Sequence, residues 1–161
     1  MLKKLATASA LTLALSTPGA AFAQSGLLTD WGLTDMKQAV TAAGATVTKE
    51  GALSDGSPYV GATSAGGMKF VIYGTVCSGT TAKRCKGANM SAGFTLDSDA
   101  EVDAREKKID RSAVGVRNGG DNSLDVSRYL IFDEGISRGN LRVNIEVFID
   151  VAEEIWNGGG E

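Results

Sequence analysis

Residues 137–156 constrain the fold more than any other stretch, because two periodicities compete for them. Leu141, Val143, Ile145, Val147 and Ile149 alternate with Arg142, Asn144, Glu146 and Phe148, which a half-buried strand would explain at every position but the last. At about 100° per residue, however, Leu141, Ile145, Phe148, Ile149, Ala152, Ile155 and Trp156 fall within roughly 120° of arc, and Arg142, Glu146, Asp150 and Glu153 fill the opposing sector. The longer pattern prevails. Ser137 suits an N-cap and Asn157-Gly158 a stop, so the spacing predicts a helix of about five turns with Ile145, Phe148 and Trp156 in the core. Such a helix needs a second layer to cover its apolar face.

The upstream residues offer that layer. Thr34-Asp35 can cap a short helix carrying Met36, Ala39, Val40 and Ala43 and stopped at Gly44. Residues 45–48 and 59–62 read as weak strands around a turn at Asp55-Gly-Ser-Pro58, and Gly66-Gly67 marks the next turn. Residues 69–76 and 88–96 are stronger, the latter with Met90, Ala92 and Phe94 on one face. Residues 97–111 are charged and helix-compatible, with Val102 and Ile109 facing inward and acids gathered at the N-terminal end. Asn118-Gly119-Gly120-Asp121 is a turn, and Leu124, Val126 and residues 128–132 form another strand. The expected fold is α+β: an antiparallel meander of about five or six strands, helices packed against it and a long closing helix.

Residues 1–23 predict export. Lys3 and Lys4 precede an apolar run over residues 5–15, Pro18-Gly19 breaks it, and Ala21-Phe22-Ala23 is a small-x-small cleavage signal. Cleavage between Ala23 and Gln24 would leave a periplasmic or secreted chain. The run is short of the roughly 18 residues that span a bilayer, so no stable membrane insertion is expected after cleavage. Residues 24–32 then read as a loose leader, residues 33–157 as one domain and residues 158–161 as a flexible tail.

That compartment gives meaning to Cys77 and Cys85, the only cysteines. An even count in an exported chain reads as a disulfide, and the pair flanks turn-like Ser78-Gly79-Thr80-Thr81 at the mouth of a hairpin. With no histidine in the chain, two thiols make half a zinc site at best, and their spacing is not CxxC. The missing histidine also removes His-based triads and HExxH zinc chemistry. Two lysines leave with the first 23 residues, so 14 basic residues face 19 acidic ones in the remainder, a balance unsuited to nucleic acid.

The block Gly135-Ile-Ser-Arg-Gly-Asn140-Leu-Arg142-Val-Asn144-Ile-Glu146 resembles the closing motif of the YbjN domain family, bacterial proteins whose last helix typically starts on Asn-aromatic/Leu-Arg-x-Asn. The strand ending in a cysteine, followed by Ser91-Ala92-Gly93-Phe94, is similar to that family's mid-domain strand pair. The resemblance runs from about Leu33 to Trp156. It departs from the family pattern between Lys107 and Arg117, where Lys-Ile-Asp-Arg-Ser-Ala-Val stands in place of an Asn-Trp-Asn-type stretch. It implies a fold like that of type III secretion chaperones and a family label of sensory transduction regulator, with no settled chemistry.

No motif supplies a reactive centre. The run from Gly61 to Lys69 glances at a phosphate loop, but its lysine is displaced and a strand follows where a helix N-terminus is needed. Asp97-Ser-Asp99-Ala-Glu101 resembles a calcium loop, yet Val102 stands where the turn needs glycine and Lys108 where a bidentate glutamate belongs. Ser64 lacks the flanking glycines of a nucleophile elbow, since Ala62 takes the first position. The candidates left are binding residues: Lys83, Arg84 and Lys86 as a basic cluster, and Arg142 and Asn144 on the last helix. No catalytic residue, cofactor or metal is expected. The favoured expectation is a non-catalytic interaction module for a polypeptide partner or for self-association, followed by an envelope binder of small anionic ligands and, last, a carboxylate-based hydrolase.

Overall fold

A computed structural model of the chain describes residues 26–108 and 114–158. The signal segment, the Ala23–Gln24 junction, Ile109 and residues 159–161 lie outside the described residues. In chain order the elements are β1 (Leu27–Leu28), α1 (Leu33–Ala42), β2 (Thr46–Ala52), β3 (Pro58–Thr63), β4 (Lys69–Ser78), β5 (Arg84–Thr95), α2 (Asp99–Lys108), β6 (Gly115–Gly120), β7 (Ser123–Ile131), β8 (Ile136–Ser137) and α3 (Arg138–Trp156). The fold is α+β. Six antiparallel strands form one sheet in the order β2-β3-β4-β5-β7-β6, and β1 pairs with β8 in a separate two-stranded ribbon. Among the described residues no helix is long and apolar enough to cross a membrane.

The closing segment is a helix, as the longer periodicity predicts. Ser137 Oγ accepts from the Asn140 N–H at 3.0 Å, satisfying one of the free donors of the first turn. Leu141, Ile145, Phe148, Ile149, Ala152 and Ile155 are buried. Phe148 is fully covered and meets Phe70 of β4 edge-to-face at 5.9 Å between ring centroids. The helix therefore lies on the sheet face built from Val60, Ala62, Phe70, Ile72, Met90 and Leu124, with α1 beside it. Trp156, expected in the core, is instead 41 % exposed. It sits at the margin of the apolar arc in the last turn, where its neighbour Ile155 takes the inward place. The Arg105 guanidinium of α2 donates to the carbonyls of Ile155 and Trp156 at 2.6 and 2.8 Å, so a cation closes the C-terminal end of α3.

Two segments differ from expectation. From residue 26 on the leader is not loose: β1 pairs with β8, and Trp31 is fully buried, exchanges backbone hydrogen bonds with Cys85 and donates its indole N–H to the Gly87 carbonyl at 2.9 Å. Its ring stands edge-to-face on Phe132 at 5.3 Å. A lone tryptophan in a Gly- and Thr-rich stretch shows no period, so only the tertiary contact reveals its place. The second difference is β6, an edge strand where only a turn was expected. Asp121 and Asn122, both with positive φ, form the two-residue hairpin loop that returns the chain into β7.

The hairpin of β4 and β5 carries the disulfide between Cys77 and Cys85, which face each other in register with an S–S distance of 2.08 Å. Gly74 makes room for it. A Cβ at Gly74 would stand 2.3 Å from Cys85 Sγ and 3.2 Å from Cys77 Sγ, so the sulfurs occupy the space a side chain would take. Val76, between Gly74 and the bridge, adopts φ of 52°, an uncommon conformation for a β-branched residue and a local strain at this end of the sheet.

Candidate functional site

Lys83 and Arg84 line a cleft of about 430 Å³ with the start of α1 and the β2–β3 turn, but Lys86 does not join them. The two cations in the cleft are already matched by acids. Arg84 pairs with Asp30 at 2.5 Å and Asp35 at 3.2 Å, and Lys83 lies 4.0 Å from Asp55. Asp35 is the hub of this network. It accepts from the Gly32 N–H at 3.1 Å and from Arg138 of α3 at 3.1 Å, so one carboxylate ties together the start of α1, β5 and α3. Burial opposes its ionisation, but the Gly32 N–H and the two arginines outweigh that and hold its pKa below the ordinary value of 3.8. With acids answering both cations, the cleft offers an incoming anion little net attraction.

Arg142 and Asn144 do not form one site. Arg142 makes an exposed pair with Glu146 one turn on at 2.7 Å. Asn144 turns inward, where its Oδ1 accepts from Arg128 of β7 at 2.6 Å and its Nδ2 donates to the Asn140 carbonyl at 2.9 Å. That arrangement braces α3 against β7. Ser64 is likewise structural: its hydroxyl bonds Glu153 of α3 and accepts from the Met68 N–H at 3.0 Å, fastening the β3–β4 turn to the closing helix. The calcium-like stretch is a helix start, in which Ser98 Oγ accepts from the Glu101 N–H at 3.2 Å.

The remaining surface is the face of the sheet opposite α1 and α3. Residues there are those whose neighbours in each strand point into the core. Register sets Tyr59 opposite Tyr73, Tyr73 opposite Asn89, and Asn89 opposite Tyr129, so three tyrosines and an asparagine form a row across four strands. Tyr129 is 50 % exposed, and Ile131, two residues along the same face, is 56 % exposed. Asn89 Nδ2 donates to the Tyr73 hydroxyl at 2.8 Å, which fixes the middle of the row.

Beside that row runs a furrow. Gly61, Val71, Ser91, Ser127 and Gly115 stand in register across five strands, all with short side chains or none. At about 4.8 Å between strands the floor is roughly 20 Å long. The half bounded by Tyr73, Asn89, Arg117 and Asp125 forms a pocket of about 310 Å³. Arg117 and Asp125 pair at 2.8 Å along its far wall. The furrow offers aromatic rings and hydroxyls, which suits contact with another molecule's side chains and backbone. Neither the row nor the furrow is visible in the sequence, because each exists only once the strands are aligned.

Comparison with protein-family models, with curated proteins and with solved structures finds no match for this chain.

Proposed function

We propose that this protein is an exported, non-catalytic interaction module whose uncovered sheet face holds a polypeptide segment. The observation that carries the proposal is the two-layer build. Helices cover one face of the sheet, while the other carries the half-buried Tyr59 and Tyr73 and the exposed Tyr129 and Ile131. Exposed aromatic and aliphatic side chains on one face are the usual mark of a contact surface. Export is supported by the n-region, apolar run and Ala-Phe-Ala pattern of residues 1–23, and the Cys77–Cys85 bridge is compatible with an oxidising compartment. The similarity of residues 135–146 to the YbjN closing motif supports a regulatory or chaperone-like role. The anionic-ligand alternative is weakened by the acids that already answer Lys83 and Arg84.

A benzophenone side chain placed at Ser127, on the furrow floor, should form polypeptide adducts in the exported fraction on irradiation. The same group at Asp150, on the solvent side of α3, should form none. Adducts at neither position, or equally at both, would contradict the assignment of this face.

A further inference from the structure

The molecule is electrically two-sided. Closing helix α3 bears Glu146, Asp150, Glu153 and Glu154 against Arg138 and Arg142. The uncovered face of the sheet has the opposite balance. Lys49 stands in register with Gly61 at one end of the furrow, Lys69 stands in register with Thr63 along its flank, and Arg117 lies at the other end, with Asp125 as the single acid. Asp125 is taken up by Arg117. Among the described residues Lys49 and Lys69 have no carboxylate partner; Lys49 rests over the Tyr59 ring, 5.9 Å from its centroid. Their charges are available, unlike those of Lys83 and Arg84 in the cleft.

We propose that the furrow is a docking site for an acidic polypeptide segment. This rests on the reading that the open face holds a polypeptide, and it names that polypeptide's chemistry. A floor of roughly 20 Å takes about six residues of extended chain at about 3.3 Å each. Carboxylates near the β2 end meet Lys49 and Lys69, and apolar side chains alternating with them rest against the tyrosine row. The net negative charge of the whole chain does not oppose this, because at about 0.15 M salt charges beyond roughly 8 Å are screened and the local lysines dominate.

The test uses the full exported protein and three fluorescein-labelled peptides of equal length, in which Leu alternates with Glu, Gln or Lys. Binding is followed by anisotropy at about 50 mM and about 500 mM salt, and the contact is located by amide chemical-shift changes. The Glu peptide should bind several-fold more tightly than the other two, weaken at high salt and shift amides of β3, β4, β5 and β7. Lys49→Gln combined with Lys69→Gln should weaken it roughly fivefold, as expected for two exposed ion pairs. Lys49→Glu with Lys69→Glu should weaken it further. Both pairs of changes lie on exposed strand positions, and unaltered thermal unfolding will verify that the fold is retained. Equal binding of the Glu and Gln peptides on this face would overturn the acidic preference and leave the polypeptide reading standing. Binding of neither peptide there would remove both. Shifts confined to the Lys83–Arg84 cleft, or displacement of the Glu peptide by an equal charge of single-stranded oligonucleotide, would also overturn the proposal.

Discussion

Gly74→Ala is a one-methyl perturbation whose cost follows from the disulfide. Gly74 has no positive φ, so alanine adopts its backbone conformation without strain. By chain entropy and strand preference alone, alanine should be better than glycine by roughly 0.5–1 kcal/mol. The new methyl would stand 2.3 Å from Cys85 Sγ and 2.9 Å from Cys85 Cβ. Cys85 is fully buried and covalently tied to Cys77, so its sulfur has no alternative rotamer to escape into. The clash should win, with a net loss of about 1–3 kcal/mol in urea denaturation at neutral pH. A double-mutant cycle isolates the cause. In a Cys77→Ala, Cys85→Ala background, itself about 2–3 kcal/mol less stable than the parent for lack of the bridge, the sulfurs are gone and only the 2.9 Å contact to Cβ remains. The Gly74→Ala penalty should then shrink by about 1 kcal/mol or more. A neutral Gly74→Ala, or a penalty unchanged by removing the sulfurs, would refute the packing described for this end of the sheet.

Phe148→Ala should cost about 3–5 kcal/mol, since it removes a fully buried ring and leaves a cavity against Phe70. Glu146→Ala should cost no more than about 0.5 kcal/mol, the worth of an i,i+4 pair; comparable small effects in equilibrium denaturation would tell against the docking of α3. Asp35→Asn should destabilise by about 1–3 kcal/mol at neutral pH, because Arg84 and Arg138 lose their shared partner. The carboxylate's pKa is depressed in the folded state, so its contribution is fully present above 3.8 and lost as pH falls through the lower folded value. Stability curves of parent and variant should converge in that acid range; a gap that persists there would contradict the network.

Residues 138–156 were legible because nineteen residues with one apolar arc leave little choice, β4 because residues 69–76 are strand-like and end in a turn, and β5 because Met90, Ala92 and Phe94 share one face. Strand β6 was not legible. Gly115–Gly120 has no apolar alternation and is a strand only because β7 pairs with it. The cluster of Lys83, Arg84 and Lys86 was visible, yet its charge state was not, since Asp30, Asp35 and Asp55 reach it from distant sequence. The tyrosine row was hidden for a related reason. Tyr59, Tyr73, Asn89 and Tyr129 are far apart along the chain, and only the strand register brings them into line.

Hydroxyl-radical footprinting of the free protein, and of the same protein bound to the polypeptide captured through Ser127, tests the working surface most directly. Tyr73 and Tyr129 should become several-fold less oxidised in the complex, while Trp156, exposed on the closing helix, keeps its free rate. Unchanged tyrosines with a protected Trp156 would place the contact on the helix layer and contradict the account.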